Sequence, residues 1–151
     1  DPILHAVPVR DIVQQLSGKV LCCEEELDNL VEKLVVGAMT VDSALKYFRK
    51  VSNKAVVTGG DRGDIQLAAM ETSTRCLILT GDLYPHQNIV TAAVEKKIPI
   101  VVVPHDTLTT IGKFETVLGH LGLRDEKKID RALGIISNCI DFKLIDTYIN
   151  K

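Results

Sequence analysis

Apolar positions along this chain follow two rhythms, helical spacings of three and four residues and short unbroken runs, and the alternation between them predicts the elements. From Val7 to Leu16, Val9, Ile12, Val13 and Leu16 share one helical face, with Pro8 near the first turn and Gly18 just past the end. Lys19 to Cys23 is a compact run of β character, in which Cys22 and Cys23 are expected to alternate across a strand. The acidic trio Glu24 to Glu26 is expected in a solvated turn. Leu27, Leu30, Val31 and Leu34 fit a helix face, whereas Leu34 to Met39 fits a buried strand; the strand is preferred for the later half. Val41 to Arg49 reads as a helix with Thr40 as its cap and Leu45 and Phe48 as inward anchors.

From Lys54 onward the pattern is regular. Ala55 to Thr58 is an apolar strand, Asp64 to Thr72 a helix with Ile65, Ala68 and Ala69 inward, and Cys76 to Thr80 a second strand. The unit repeats, because Pro85 to Lys96 carries Ile89, Val90, Ala93 and Val94 on one face and Pro99 to Val103 is a third continuous apolar run. Unbroken apolar strands are covered on both faces, so the expected fold is α/β, three-layer α/β/α with a mostly parallel central sheet. Thr107 to Leu121 and Glu126 to Ile140 are expected to be helical, the latter with Ile129, Ala132, Leu133, Ile136 and Ile140 in one stripe and Gly119 and Gly122 in the gap before it. No linker interrupts residues 1–151, read as a single domain with a core over residues 8–120 and a helical extension over 125–150. Phe142, Leu144, Ile145 and Tyr148 in that extension are expected at a subunit interface, and Asp1 in first place fits a piece of a longer polypeptide.

Composition narrows the function classes. The chain has 151 residues, 46% hydrophobic and 25% charged, enough to bury a core of its own. A formal charge of -2 with both signs interspersed offers no field for nucleic acid or an anionic membrane, and 4% aromatics without Trp supply no base-stacking platform. Cys22, Cys23, Cys76 and Cys139 form no CxxC pair, which removes a zinc ribbon and fits a reduced, cytoplasmic protein. No apolar run approaches the roughly 18 residues that cross a bilayer.

Candidate chemistry gathers in the turns after the three late strands: Thr58-Gly59-Gly60-Asp61-Arg62-Gly63-Asp64, Thr80 to His86, and Pro104 to Thr107. Ligands of parallel α/β sheets bind beyond the carboxyl ends of strands, so these turns are expected to share one rim. Thr58, Gly59, Gly60, Asp61, Arg62, Asp64, Thr80, Gly81, His105 and Thr107 are the candidate ligand-binding residues. The glycines permit close backbone approach, and Arg62 suits a phosphate or carboxylate. The same residues also suit a tight turn in which Asp61 or Asp64 caps the next helix and Arg62 bridges to a nearby carboxylate or carbonyl. Neither GxxxxGK[ST] nor GxGxxG is present, no GxSxG elbow occurs, and no catalytic residue is assigned. Asp61, Asp64, Asp82, His86, His105 and Asp106 are read as caps and turn formers, with no metal or cofactor expected.

The run Ala55-Val56-Val57-Thr58-Gly59-Gly60-Asp61-Arg62-Gly63-Asp64-Ile65-Gln66 resembles the signature segment of the DRTGG domain, and Leu77-Ile78-Leu79-Thr80-Gly81 followed by Ile98-Pro99-Ile100 resembles its next two strands. A fainter likeness is to the amino-terminal domain of HPr kinase/phosphatase, whose fold is related to the first domain of Mur ligases. The resemblance implies a non-catalytic regulatory or dimerising domain of a larger metabolic protein. It also implies a homodimer, with an attached unit such as a phosphotransacetylase, a dethiobiotin-synthetase-like domain or, in pyrophosphatases, CBS domains. The alternative is a small-molecule sensor holding a nucleotide or phosphorylated metabolite at the strand-end turns.

Overall fold

The structure of the protein, a computed structural model, describes residues 6–120. The predicted extension over 125–150 and its interface residues lie outside the described residues.

A five-stranded sheet forms the middle layer. Its strands in chain order are β2 (Lys19–Cys22), β4 (Lys33–Val36), β5 (Lys54–Gly59), β6 (Thr74–Thr80) and β7 (Ile100–Val102). Their spatial order is β2-β7-β6-β5-β4, with β4 to β7 parallel and β2 antiparallel on the edge beside β7. The register runs Val35 to Val56 to Leu77 to Ile100 across the sheet. A second, two-stranded sheet pairs β1 (Val7–Pro8) with β3 (Leu30–Val31).

The chain steps from β4 to β7 in one direction. Right-handed crossovers therefore lay α2 (Val41–Phe48), α3 (Gly63–Met70) and α4 (Gln87–Lys96) on the same face. Phe48, Ile65, Ala69, Ile89 and Ala93 pack there on Val35, Val56, Leu77, Leu79 and Ile100. The opposite face is covered by α1 (Val9–Leu16) and α5 (Thr107–His120), where Ile12, Leu16, Ile111 and Phe114 meet Leu34, Ala55, Val57, Ile78 and Val101. Residues along each strand alternate between the two cores, so both faces of the pleat are apolar and the strands read as continuous runs. This is the three-layer α/β/α arrangement with a mostly parallel sheet that the pattern implied.

Three particulars differ from the sequence reading. The ambiguous stretch supplies a fourth parallel strand, β4, which stops at Val36 rather than Met39. Cys23 is not in a strand: it sits in the left-handed region at φ 62°, opening the 3₁₀ turn Glu24–Glu26, with Sγ directed at the Ala93 carbonyl 3.6 Å away. Val94 is 54% exposed, because Ile89 and Ala93, four residues apart, define the inward stripe of α4 and Val90 and Val94 lie on the row beside it.

Candidate functional site

The turn after β5 is tied down from three directions. The Thr58 hydroxyl donates to the Gly37 carbonyl at 2.7 Å, joining the end of β5 to the β4–α2 connection. Beneath the turn, Gln66 is fully buried, and its Nε2 donates to the carbonyls of Gly59 (3.0 Å) and Gly60 (3.2 Å). Arg62 reaches across the surface: Nη2 donates to the Met39 carbonyl at 2.9 Å, while Nε and Nη2 meet the two Asp64 carboxylate oxygens at 3.2 and 3.3 Å. That contact holds the Asp64 carboxyl below the usual carboxylate range and raises the Arg62 guanidinium above its own. Arg62 occupies the N-cap position of α3 without a side-chain capping bond, and Asp61 is exposed.

The turns after β6 and β7 join the same edge. The Gly60 N–H donates to the Thr80 carbonyl at 3.4 Å, and the Thr80 hydroxyl lies 3.4 Å from the Thr58 carbonyl and 3.2 Å from the Thr107 hydroxyl. Gly81, at φ +80°, donates to the His105 carbonyl at 2.8 Å, and Asp82 to the Val103 carbonyl at 2.9 Å. Asp106 caps α5, its carboxylate accepting the Thr109 N–H at 2.7 Å, and that bond lowers its pKa. His86 precedes α4 and makes no side-chain capping bond. Lys19, from the antiparallel strand β2, stands 5.6 Å from the centre of the exposed Tyr84 ring.

All ten candidate residues thus lie at the carboxyl edge of the sheet, on the three turns or at the strand and helix ends that flank them. Between β6 and β7 the chain leaves toward opposite faces, α4 to one and α5 to the other, the kind of divergence at which such sheets bind ligands. Here the Gly81 and Asp82 backbone bonds span that divergence. Two polar atoms at the rim, Gln66 Oε1 and His105 Nε2, are buried without a hydrogen-bond partner among the described residues. Exchanging the Gln66 amide atoms would set Oε1 against two carbonyls, so its orientation is fixed and the orphan is an acceptor. Gln66 was not singled out by the sequence; its signal was a polar residue between Ile65 and Leu67 in the apolar stretch of α3. Met39 and Gly37 were missed because they act through backbone carbonyls, which any residue carries. No group of three His, Cys, Asp or Glu side chains placed to hold a metal occurs among the described residues. No helix among them is long and apolar enough to cross a membrane.

Fold and rim define a three-layer α/β domain whose strand-end turns are bonded chiefly to one another. The chain belongs to the DRTGG domain family, whose family model matches residues 11–117. It is 29% identical over 158 aligned positions to a phosphate acetyltransferase of Synechocystis sp., covering 99% of this chain and 22% of that enzyme. It is 33% identical to a cobalt-dependent inorganic pyrophosphatase of Clostridium perfringens, covering 69% of this chain and 18% of that one. The chain therefore spans about a fifth of the length of the curated relatives it matches. A solved structure with TM-score 0.60 and 30% identity covers 70% of this chain and 44% of its own. It holds the CBS and DRTGG domains of the regulatory region of the Clostridium perfringens pyrophosphatase, complexed with the activator diadenosine tetraphosphate.

Proposed function

We propose that this chain is a non-catalytic regulatory domain of a larger metabolic enzyme, acting by assembly: it pairs two copies and passes conformational change to an attached catalytic unit. The observation that carries this reading is the match to a DRTGG domain within a pyrophosphatase regulatory region. The attached unit is proposed to be of the phosphate acetyltransferase kind. Alignments to those enzymes cover 99%, 88% and 93% of this chain, against 69% for the pyrophosphatase. Exposed Leu67, Leu83, Tyr84 and Val94, on or next to α3 and α4, supply apolar area for a docked partner. Light scattering on the 151-residue chain tests the assembly: a dimer is expected, and a monomer at concentrations up to the millimolar range contradicts it.

A second reading, a small-molecule sensor at the rim residues Thr58 to Asp64, Thr80, Gly81, His105 and Thr107, is favoured by the orphaned Gln66 Oε1 and His105 Nε2. Buried polar atoms without partners mark a place for a water or a ligand group. Arg62→Ala separates the roles. If Arg62 clamps a ligand, the variant loses affinity for added nucleotide with its unfolding midpoint unchanged. If Arg62 only joins Met39 to Asp64, the midpoint falls and no affinity is involved.

A further inference from the structure

A cleft of about 320 Å³ opens at the end of the sheet opposite the rim, between the turn that follows α3, the start of β6 and the end of α4. That volume lies at the lower end of the range of small-molecule sites, about 300–1,000 Å³. Such sites are usually apolar, but here Met70 and Ile98 alone among the lining residues are.

Three cations face it. Arg75 comes from β6 and Lys96 and Lys97 from the end of α4, all exposed. The ion pairs among the described residues, Arg10–Asp28 and Arg62–Asp64, involve none of them. Arg75 is steadied by its Nε, which donates to Asn53 Oδ1 at 3.2 Å and leaves the terminal guanidinium nitrogens free to meet a ligand. The wall is already bonded within the protein: the Thr72 and Thr74 hydroxyls both donate to the Ala69 carbonyl, at 2.8 and 2.7 Å. Behind the wall a fourth cation, Lys54, is fully buried, its ammonium donating to the Val51 and Ser73 carbonyls and the Thr72 hydroxyl.

Helices α3 and α4 both end here, and their dipoles bring about half a negative charge each. Lys96 and Lys97 by themselves exceed that field by about one charge. The excess is what matters: the two helix ends and Glu26, the lining carboxylate, oppose the three lining cations and leave about one positive charge uncompensated, to which Lys54 adds from behind the wall. The helix ends are moreover capped, since the Ala93 carbonyl accepts the Ile98 N–H at 2.9 Å and Ala69 accepts the two threonine hydroxyls.

The geometry points to this cleft as a binding site for a small phosphoryl anion, with Arg75, Lys96 and Lys97 gripping its oxygens. A compact group with several oxygens and two or more charges matches a guanidinium fork beside two ammonium groups better than a single carboxylate does. The site stands whether or not the chain regulates an enzyme, and it is separate from the rim.

Amide chemical-shift titration of the 151-residue chain at fixed ionic strength tests it, with pyrophosphate and ADP as probes. The expected result is saturable shifts centred on Ser73, Arg75 and Lys97, with Gly60 and Gly81 still. Arg75→Ala and Lys96→Glu should each weaken binding by about tenfold, while Lys46→Ala, at an exposed position of α2 outside both the cleft and the rim, leaves it intact. Tighter binding of ADP than of pyrophosphate identifies a nucleotide as the source of the phosphoryl group, and the reverse identifies an inorganic phosphate. Shifts centred on the rim, equal affinity in the Arg75 and Lys96 variants, or no saturation with either probe at millimolar concentration overturns the proposal.

Discussion

The backbone of Gly60 lies directly against the carbonyl group of Leu83, so closely that a methyl group on Gly60 would overlap the Leu83 carbonyl oxygen and Cβ. The turn after β5 and the turn after β6 are therefore in backbone contact, and backbone has no rotamer with which to yield. Gly60→Ala is expected to destabilise the chain by about 2–3 kcal/mol or more, read as a lower urea midpoint. An unchanged midpoint would mean that the two turns are not pressed together.

Gly112 supplies the contrasting case. It lies within α5, and a Cβ there meets nothing within 4 Å among the described residues. Gly112→Ala should stabilise by about 0.5–1 kcal/mol, because a helix interior favours alanine and no described neighbour resists it. The same urea titration reads both variants.

Asp106→Ala removes the acceptor of the Thr109 N–H at the start of α5. A loss of about 1 kcal/mol is expected, with Asp106→Asn recovering most of it, since an amide oxygen also caps. The folded carboxyl has a depressed pKa, so its contribution is present above the unfolded pKa and fades as pH falls through the folded one. The stability difference between wild type and Asp106→Ala should therefore narrow on acidification.

Lys54 gives a pH dependence of the same form at the alkaline end. Burial pulls its ammonium down to about 8, from 10.5 in the unfolded chain. Between those values the unfolded state binds more protons, so the Lys54 contribution raises stability with pH. The thiols of Cys23 and Cys76, pushed up to about 12 by burial first of all, act in the opposite sense, their contribution being lost as pH rises above 9. Comparison with Lys54→Met cancels the cysteines. The wild type should gain about 1 kcal/mol on the variant between pH 7 and pH 9, measured by urea unfolding at each pH, whereas parallel curves would show that Lys54 titrates normally.

What the sequence disclosed, and what it hid, follows from how local each signal is. The strands from Lys54 to Val102 were legible because both faces are buried, leaving unbroken apolar runs between turn residues. Thr40 was legible as a cap, and its side chain accepts the Ser43 N–H at 3.5 Å. β4 was obscured because Leu27 to Leu34 also satisfies a helical period. Both readings of Arg62 were on the table, and its Asp64 and Met39 bonds match the turn-bridging one. The amino-end cleft had no sequence signature at all, since Glu26, Arg75 and Lys96 are brought together only by the crossovers of the sheet.

The proposed regulatory role is tested most directly by turnover of the larger enzyme proposed to contain this chain, compared with and without residues 6–120. Catalysis should persist at its basal rate in the shortened enzyme, while its response to effector and its state of assembly change. Loss of turnover from a remainder that keeps its circular dichroism spectrum would place this domain in the chemistry itself and contradict the account.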